Sequence, residues 1–276
     1  MKHPHQKYLI VLLLVHLSSF SQISLTTPDN KKVILYPNGF WCFENETKSY
    51  YFYLPQILKN DVILHHTAYS VSYDTLHHLP KWTIYEINAS LLQNSVAERK
   101  NKFEKDPLLP QCTHLNSDYK NSGYDRGHLV PAADMQFSET TMQESFYFSN
   151  IAPQLPSFNR GIWKKLEEQI RNWALENKKL IVISGVVIAD TLPYFGKQKI
   201  YVPYYFYKIV ADITSTNGIE LIGFILPNAK VEAPVSKYTV PVDSIEHLLH
   251  IDFFPALEDS IEEKAEKQIN LKHWKL

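Results

Sequence analysis

The sequence predicts an α+β fold in which a central, mainly antiparallel sheet is flanked by helices. Apolar runs rich in β-branched and aromatic residues cover residues 180–188, 204–213 and 219–226, and Gly and Pro interrupt them as expected between strands. Residues 160–177 differ, because their apolar side chains recur every 3.6 residues with Lys and Glu between them. That period is typical of an amphipathic helix packed on a sheet.

The chain length predicts one main domain with appendages. With 276 residues, 45% of them hydrophobic, the chain can form one sizeable core but falls short of the usual length of two domains. We expect an appended N-terminal segment with a small hairpin at 23–60, the main domain at 61–257 and a charged C-terminal tail at 258–276.

The first 22 residues resemble a secretory signal peptide. A basic start precedes an apolar run from Tyr8 to Leu17, and a stretch of small residues leads to Gln22. This run is too short to span a bilayer comfortably. We expect a secreted, periplasmic or cell-envelope protein without stable membrane insertion. A buried N-terminal strand and an uncleaved anchor are the alternatives.

The appended segment and the start of the main domain contain short strand patterns. Asn38-Gly39 separates two apolar runs, which is the sequence signal of a β-hairpin. Strand-like stretches follow at 62–66, 69–73 and 82–87. Paired histidines occur at 65–66 and 77–78, but neighbours on a strand point to opposite faces and cannot both bind one ion. We interpret these histidines as structural or surface residues.

The two cysteines, Cys42 and Cys112, form no Cys-x-x-Cys pair, so neither a thiolate zinc site nor a disulfide scaffold is indicated. In an exported protein they could form one disulfide, and two unlinked thiols are the equal alternative.

The charge balance excludes a protein whose overall positive charge attracts it to a polyanion such as DNA. The formal net charge is −1, so a nucleic-acid site would need a local basic patch. Such patches can equally be solvated surface. The candidates are Lys100, Lys102 and Lys105 near Arg99, and Arg126 with Arg160, Lys164 and Lys165.

Residues that suit phosphodiester hydrolysis lie close together in the sequence. This reaction needs a base for water and an electropositive centre for the charge on the phosphoryl oxygens. In an extended segment, Arg126 and His128 point to the same face. Ser138 follows as the predicted N-cap of a short helix over 139–147.

A metal ligand pair is predicted at the start of the amphipathic helix. Asn159 and Glu167 are eight residues apart, an offset of about 80° and two turns on a regular helix. Both could face one ion, and Mg²⁺ suits a site with few protein ligands because it keeps most of its waters. The alternative for Asn159 is a simple N-cap, and for Glu167 a solvated side chain.

Several separated blocks of this sequence resemble the DNA/RNA non-specific endonuclease family. The resemblance runs from about Val62 to Phe254 and implies a ββα-metal finger, in which a hairpin presents a histidine and the next helix presents a metal-binding asparagine. The blocks include residues 71–74, 116–128, 146–154 and 159–167, with 227–229 and 240–242 later in the chain.

The resemblance implies roles for individual residues. His128 resembles the general base, Asn159 the single direct protein ligand of Mg²⁺, and Glu167 the outer carboxylate. Asn150 resembles the asparagine that supports the site, and Arg126 the motif arginine near the phosphate. The role of Asp125, the motif acid, is left open. Arg99 is a candidate for the family's upstream arginine.

For cofactor and partners, the resemblance implies Mg²⁺, with Mn²⁺ able to substitute, and DNA and RNA as substrates cut without sequence preference. It leaves room for a homodimer. Two alternatives remain: a nucleic-acid-binding protein of the same fold without turnover, and a phosphodiesterase with a narrower substrate range.

Overall fold

The computed structural model describes residues 22–110, 116–176, 178–216 and 218–276. The predicted signal peptide, apart from Gln22, and Cys112 lie outside the described residues. Cys42 is buried, and its sulfur lies 3.6 Å from Oγ1 of Thr47.

Strands and helices mix along the chain. The strands are β1 Ile23–Thr26, β2 Lys32–Leu35, β3 Trp41–Phe43, β4 Val62–His65, β5 Tyr69–Asp74, β6 Leu79–Ile87, β7 Asp125–His128, β8 Ile151–Gln154, β9 Leu180–Val186, β10 Tyr194–Phe195, β11 Ile200–Tyr201, β12 Tyr205–Asp212, β13 Glu220–Pro227 and β14 Thr239–Val240. The α-helices are α1 Ala89–Gln93, α2 Asn116–Tyr119, α3 Glu139–Ser145, α4 Pro156–Phe158, α5 Lys164–Leu175, α6 Val242–Leu249, α7 Asp259–Glu266 and α8 Leu271–Trp274. A π-helical segment, Asn159–Trp163, joins α4 to α5, and 3₁₀ turns occupy Glu44–Glu46, Tyr51–Tyr53, Ala132–Asp134, Phe148–Asn150 and Val235–Tyr238.

In the described part of the chain, seven strands form one antiparallel sheet, here called the large sheet. Their order is β14-β13-β12-β9-β6-β5-β4. The sequence-predicted α+β class with a mainly antiparallel central sheet is therefore confirmed. The three predicted strand runs at 180–188, 204–213 and 219–226 correspond to β9, β12 and β13.

The large sheet is covered on both faces, because successive residues of a strand point to opposite sides. Tyr85, Val182 and Val210 belong to a core that includes Trp163 and Trp173 from the helical region after β8. On the other face, sheet residues that include Ile84, Ile183 and Ile209 share a core with the N-terminal segment and α6. The two faces thus support different parts of the molecule.

The N-terminal segment forms a three-stranded antiparallel sheet of β1, β2 and β3. Gly39, in the turn between β2 and β3, has φ of 79°, a left-handed conformation that favours glycine. Tyr36, Tyr50 and Leu54 are buried in the core of the large sheet's second face. The segment therefore shares a core with the main domain.

The C-terminal residues 258–276, expected to form a charged tail, instead contain α7 and α8. Trp274 is fully buried, and the indole nitrogen of Trp173 donates to its backbone carbonyl oxygen at 2.7 Å. The segment folds against the domain because Ile269 and Trp274 pack in its core, although many of their sequence neighbours are charged. Among the described helices, none has the length and apolar character needed to cross a membrane.

The helix predicted at 160–177 begins earlier and is not regular throughout. Pro156 opens α4 after Leu155 as N-cap, the π-helical segment follows, and α5 ends at Leu175. Proline suits the first helical position because its missing N–H has no partner there. Gly161 departs from helical geometry at φ −101° and ψ −111°. The α3 prediction fits well: Ser138 accepts a hydrogen bond from the N–H of Thr141.

Candidate active site

A small hairpin and the following helix form the predicted site. Strands β7 and β8 pair antiparallel, with Gly127 opposite Ala152 and His128 opposite Ile151. The chain then enters α4, the π-helical segment and α5. We call these elements together the ββα unit. Trp163 fixes the helix to the hairpin, because its indole nitrogen donates to the carbonyl oxygen of His128 at 3.2 Å.

Arg126 and His128 share one face of β7, as the strand alternation predicts. Both contact Phe103: the Arg126 guanidinium lies 4.2 Å from the centre of this ring, and the His128 ring lies 5.4 Å from it. Arg126 also donates to Oδ1 of Asn116 at 2.5 Å. The phenyl ring therefore separates the cation from the imidazole while holding both in place.

The absence of a side chain at Gly127 leaves space for the Gln154 side chain of the paired strand. A Cβ atom at this position would lie 2.2 Å from Cδ of Gln154, far inside van der Waals contact. Gln154 is fully buried on the paired strand. Glycine is thus required by packing, since its φ is not in the left-handed region.

His128 is enclosed by aromatic rings and is 9% exposed. The ring of Phe146 meets it edge-on at 4.9 Å, and Nε2 of His128 is buried without a hydrogen-bond partner in the described part of the chain. Burial, with smaller contributions from the positive charges of Arg99 and Arg126, lowers the pKa of His128 to about 3. The imidazole is therefore neutral at physiological pH.

Asn150 secures the loop that follows His128. Its amide oxygen accepts from the N–H of Val130 at 2.9 Å, and its amide nitrogen donates to the carbonyls of Val130 and Ser145 at 3.0 and 2.8 Å. Since Asn150 is fully buried, each of these polar groups needs a partner. Its contacts are those of a positioning residue.

Asn159 lies inside the helical region and does not cap it, so the N-cap interpretation of this residue was wrong. Its backbone is helical, at φ −55° and ψ −51°. Its amide nitrogen instead donates to Oδ2 of Asp125 at 2.9 Å. A carboxylate can only accept, so the amide nitrogen must face Asp125 and the amide oxygen is directed elsewhere.

Asp125 is held between Asn159 and Arg160. The guanidinium of Arg160 donates to both carboxylate oxygens, at 2.7 and 2.8 Å. Burial alone would raise the pKa of Asp125, but the hydrogen bonds from Arg160 and Asn159 outweigh burial and hold this pKa below its ordinary value. The carboxyl is therefore ionised and fixed.

Glu167 is half-buried, and within the described residues no hydrogen bond or ion pair reaches its carboxylate. Burial raises the pKa of Glu167, and the positive charge of Lys208 opposes this rise. A half-buried carboxylate without a direct partner could bind the water molecules that surround a metal ion. The π-helical segment changes the simple 80° offset from Asn159, because it breaks the regular helical period.

A buried charged network lies beneath these residues. The Lys208 ammonium donates to Oγ of Ser184 at 2.6 Å and approaches the carbonyl oxygen of Leu129 at 3.4 Å. Arg171 pairs with Asp134 at 2.9 Å. Burial lowers the pKa of Lys208 and raises that of Asp134, and opposite charges within the network oppose both shifts.

The remaining predicted cations occupy different settings. The guanidinium of the exposed residue Arg99 lies 5.4 Å from the centre of the Phe146 ring, which also contacts His128. Three of the candidate surface lysines are paired with carboxylates: Lys100 with Glu139, Lys102 with Glu104, and Lys164 with Glu168. Those three lysines fit a solvated surface.

Several residues that shape the site were not given a role by the sequence. Phe103 and Lys208 are distant in sequence from the motifs they contact. Asn228 accepts from the N–H of Leu155 at 2.8 Å and donates to the carbonyl of Pro153, so it fastens the junction of β8 and α4. A lysine inside an apolar strand, as at 208, was the one signal available beforehand.

The fold and this hairpin–helix arrangement define the class: a ββα-metal nuclease fold. The sequence model of the family described as DNA/RNA non-specific endonuclease matches residues 45–260. The chain belongs to this family, as the resemblance implied, and nucleases of this family are metal-dependent hydrolases acting on nucleic acids.

Curated relatives agree with this assignment. The chain is 33% identical over 208 residues to "Nuclease EXOG, mitochondrial" of Danio rerio, covering 70% of this chain and 61% of that protein. It is 31% identical over 201 residues to "Endonuclease G, mitochondrial" of Homo sapiens, covering 68% of each. "Nuclease C1" of Cunninghamella echinulata var. echinulata is 29% identical, covering 71% of this chain and 84% of that protein. The chain thus spans less than two thirds of the length of the EXOG relatives.

A solved structure shares the fold. The crystal structure of the EndoG/EndoGI complex matches with a TM-score of 0.67 and 27% identity, covering 72% of this chain and 88% of that chain.

The predicted secreted or envelope location was wrong. The EXOG and Endonuclease G relatives are named as mitochondrial nucleases, which contradicts the expected export.

Proposed function

We propose that this protein is a Mg²⁺-dependent endonuclease that hydrolyses phosphodiester bonds of DNA and RNA with little sequence preference. The observation that carries the proposal is the pair of contacts that joins hairpin and helix. Asp125 on β7 orients the Asn159 amide, and Trp163 holds the carbonyl of His128. The Asn159 amide oxygen, which faces away from Asp125, and the unpartnered Nε2 of His128 thus belong to one ββα unit.

In the proposed mechanism His128 is the general base. Its neutral imidazole accepts a proton from water, and the resulting hydroxide attacks phosphorus in line with the departing 3′ oxygen. Arg126 and Arg99 lie on the side of Phe103 and Phe146, the two rings that border His128. Guanidinium groups at that position would attract the phosphate and its developing charge.

The residues present fit a hard divalent cation. Asn159 would offer its amide oxygen directly, and Glu167 would hold a water of the ion's shell. Neutral and anionic oxygen donors with few direct ligands suit Mg²⁺, with Mn²⁺ as a substitute. When bound, the ion neutralises charge on the phosphoryl oxygens and eases departure of the leaving oxygen.

Weak sequence preference follows from the contacts available. Arginine and metal contacts to phosphate position a strand without reading base edges. A cleft of ≈ 340 Å³ next to Asp125 and Arg126 is also lined by Tyr119, Lys120 and Tyr124. Rings and cations of this kind can hold a strand without selecting its bases.

Plasmid nicking tests this function directly. Purified wild-type chain should nick supercoiled plasmid and degrade RNA with Mg²⁺, retain activity with Mn²⁺ and lose it in EDTA. His128→Ala should lower turnover by a factor of about 10² to 10⁴ while nucleic-acid binding persists. The surface variant His247→Ala is the matched control.

Two outcomes would contradict the proposal. Tight binding without cleavage in any divalent ion would indicate a nucleic-acid-binding protein of the same fold. Hydrolysis of a small chromogenic diester without cleavage of plasmid, single-stranded DNA or RNA would indicate a narrower phosphodiesterase. A homodimer stays a prediction that sedimentation analysis can test.

A further inference from the structure

Helices α6 and α7 bring carboxylates together on the face of the large sheet opposite the ββα unit. Ile245 of α6 packs in the second core, whereas Leu166 and Ile170 of α5 pack in the first. The carboxylate oxygens of Asp243, Glu246 and Glu266 lie within 4.8 Å of one another. We call these three residues the acidic cluster.

The helix spacing concentrates negative charge at this junction. Asp243 and Glu246 are three residues apart on α6, and Glu262 and Glu266 are four apart on α7, so each pair lies on one helix face. Like charges at these spacings destabilise a helix. Either a compensating charge or protonation would relieve this repulsion at the point where the two faces meet.

The protein itself supplies little compensation. Glu266 is 4% exposed, and its Oε1 is buried without a hydrogen-bond donor in the part of the chain that the structure describes. Its side chain meets the carboxyl of Glu246, which can bond to it only when the two groups share a proton. Oε1 of Glu262 is buried and unpartnered in the same way. Lys267, which follows Glu266, pairs with Glu263 at 2.8 Å. Among the described residues, no ion pair involves any member of the acidic cluster.

The charged forms of these carboxyls are correspondingly unfavourable. Burial, followed by the nearby negative charges of Asp252 and Glu246, raises the pKa of Glu262 to about 8. Burial, the charges of Glu246 and Glu262, and a hydrogen bond shared with Glu246 likewise raise the pKa of Glu266. An uncompensated buried carboxylate is relieved either by protonation or by a bound cation.

We propose that Asp243, Glu246 and Glu266 form a second, structural binding site for a hard divalent cation of the calcium type. Three carboxylates, each able to bind through one or two oxygens, provide up to six ligand atoms, which suits Ca²⁺ with its six to eight oxygen ligands and flexible geometry. Glu246 is already fixed, because its Oε1 accepts from the N–H of Phe253 at 2.7 Å.

The bound ion would fasten α6 to α7, and both helices contact β13 at the edge region of the large sheet. Its role is in the stability of the fold, apart from hydrolysis on the other face. This inference does not depend on the proposed function.

Calcium binding to the full chain tests the site. Asn159→Ala provides a background in which the proposed catalytic ion is weakened. After treatment with EGTA, isothermal titration calorimetry at pH 7.5 should show one Ca²⁺ bound per chain. A Ca²⁺ excess of 100-fold over Kd should raise Tm by about 5 °C, as mass action predicts for a chain of this size.

Variants locate the bound ion. Adding Glu266→Gln to the Asn159→Ala background should abolish Ca²⁺ binding, raise Tm in EGTA, and make Tm insensitive to Ca²⁺. The matched control is Glu263→Gln, the same substitution at an exposed position of α7, which should leave binding unchanged. If the background variant binds no Ca²⁺, or if Glu266→Gln binds it with unchanged affinity, the proposal is overturned. The first result would mean that the cluster is relieved by a proton shared between carboxyl groups.

Discussion

Asp125 gives the Asn159 amide a defined direction, which a motif match alone did not explain. The carboxylate only accepts hydrogen bonds, and Arg160 fixes both of its oxygens. The amide of Asn159 therefore presents its nitrogen to Asp125. Asp125 is a positioning residue for the proposed metal ligand, comparable to the outer carboxylates that orient ligands in other metal sites.

Changing Asp125 to Asn should weaken metal use without unfolding the protein. An amide at 125 can donate as well as accept, so the Asn159 amide loses its fixed direction. We expect the Mg²⁺ concentration for half-maximal plasmid cleavage to rise by about 10- to 100-fold. Asp29→Asn, an exposed carboxylate paired with Lys31, is the control. An unchanged Mg²⁺ titration for Asp125→Asn would refute the positioning role.

His128 also affects stability, through its depressed pKa. The folded-state pKa of about 3 lies below the ordinary 6.5, so the unfolded chain binds a proton more readily between these values. The neutral ring's contribution to stability is present above pH 6.5 and is lost as pH falls through this window. From pH 6.5 to 5 the loss is about 2 kcal/mol.

Replacing His128 with Gln should therefore flatten the acid dependence of stability. Urea unfolding in EDTA at pH 6.5 and pH 5 gives the free energy of unfolding at each pH. The difference between the two pH values should be about 2 kcal/mol smaller in the variant than in the wild type. Equal differences would mean that His128 is not buried in its neutral form.

At the scale of elements, the hairpin depends on glycine at 127. Gly127→Ala places a methyl group 2.2 Å from the Gln154 side chain, so β7 and β8 must separate or Gln154 must move. We expect a loss of about 1–3 kcal/mol in the free energy of unfolding, as for other overpacked cores. The double variant with Gln154→Ala should recover much of it. If the losses in free energy of unfolding of the two single variants simply add in the double variant, the side chains at 127 and 154 do not contact each other.

Regular elements were predictable because their signals are local. The periods of β9, β12, β13 and α5, and the Ser138 cap of α3, depend on neighbouring residues only. The π-helical segment was not predictable, because Pro156 starts the helix before the periodic stretch and Gly161 breaks its geometry. That earlier start is why Asn159 does not cap a helix.

Family motifs indicated the site residues, whereas long-range contacts defined their surroundings. His128, Asn150 and Asn159 could be identified from short blocks. Their surroundings also depend on Phe103, Lys208 and Asn228, which come from segments distant in sequence. Charge patterning was also a weak guide. Lysines that suggested a basic patch pair with nearby carboxylates, and the buried Lys208 was overlooked.

For the whole molecule, the large sheet separates the candidate active site from the N-terminal segment and the acidic cluster. The C-terminal residues close the active-site face, because Trp274 packs against Trp173 near the end of α5, with ring centres 4.8 Å apart. The helix that carries Glu167 is thus held by the far end of the chain.

Trp274→Ala should destabilise the protein markedly. Removing a fully buried indole costs about 3–5 kcal/mol. Leu271→Ala, an exposed apolar residue on the same helix, should change the free energy of unfolding by less than about 0.5 kcal/mol. Urea unfolding of both variants measures this difference, and similar values for the two would contradict the packing of α8.

The most direct test asks whether His128 and Asn159 act on one phosphate. Single-turnover plasmid cleavage at saturating Mg²⁺ should be compared for the wild type, His128→Ala, Asn159→Ala and the double variant. Groups that act as one unit have non-additive effects, so the double variant should be little slower than the slower single variant. If the two losses instead multiply, His128 and Asn159 act independently and the proposed site is wrong.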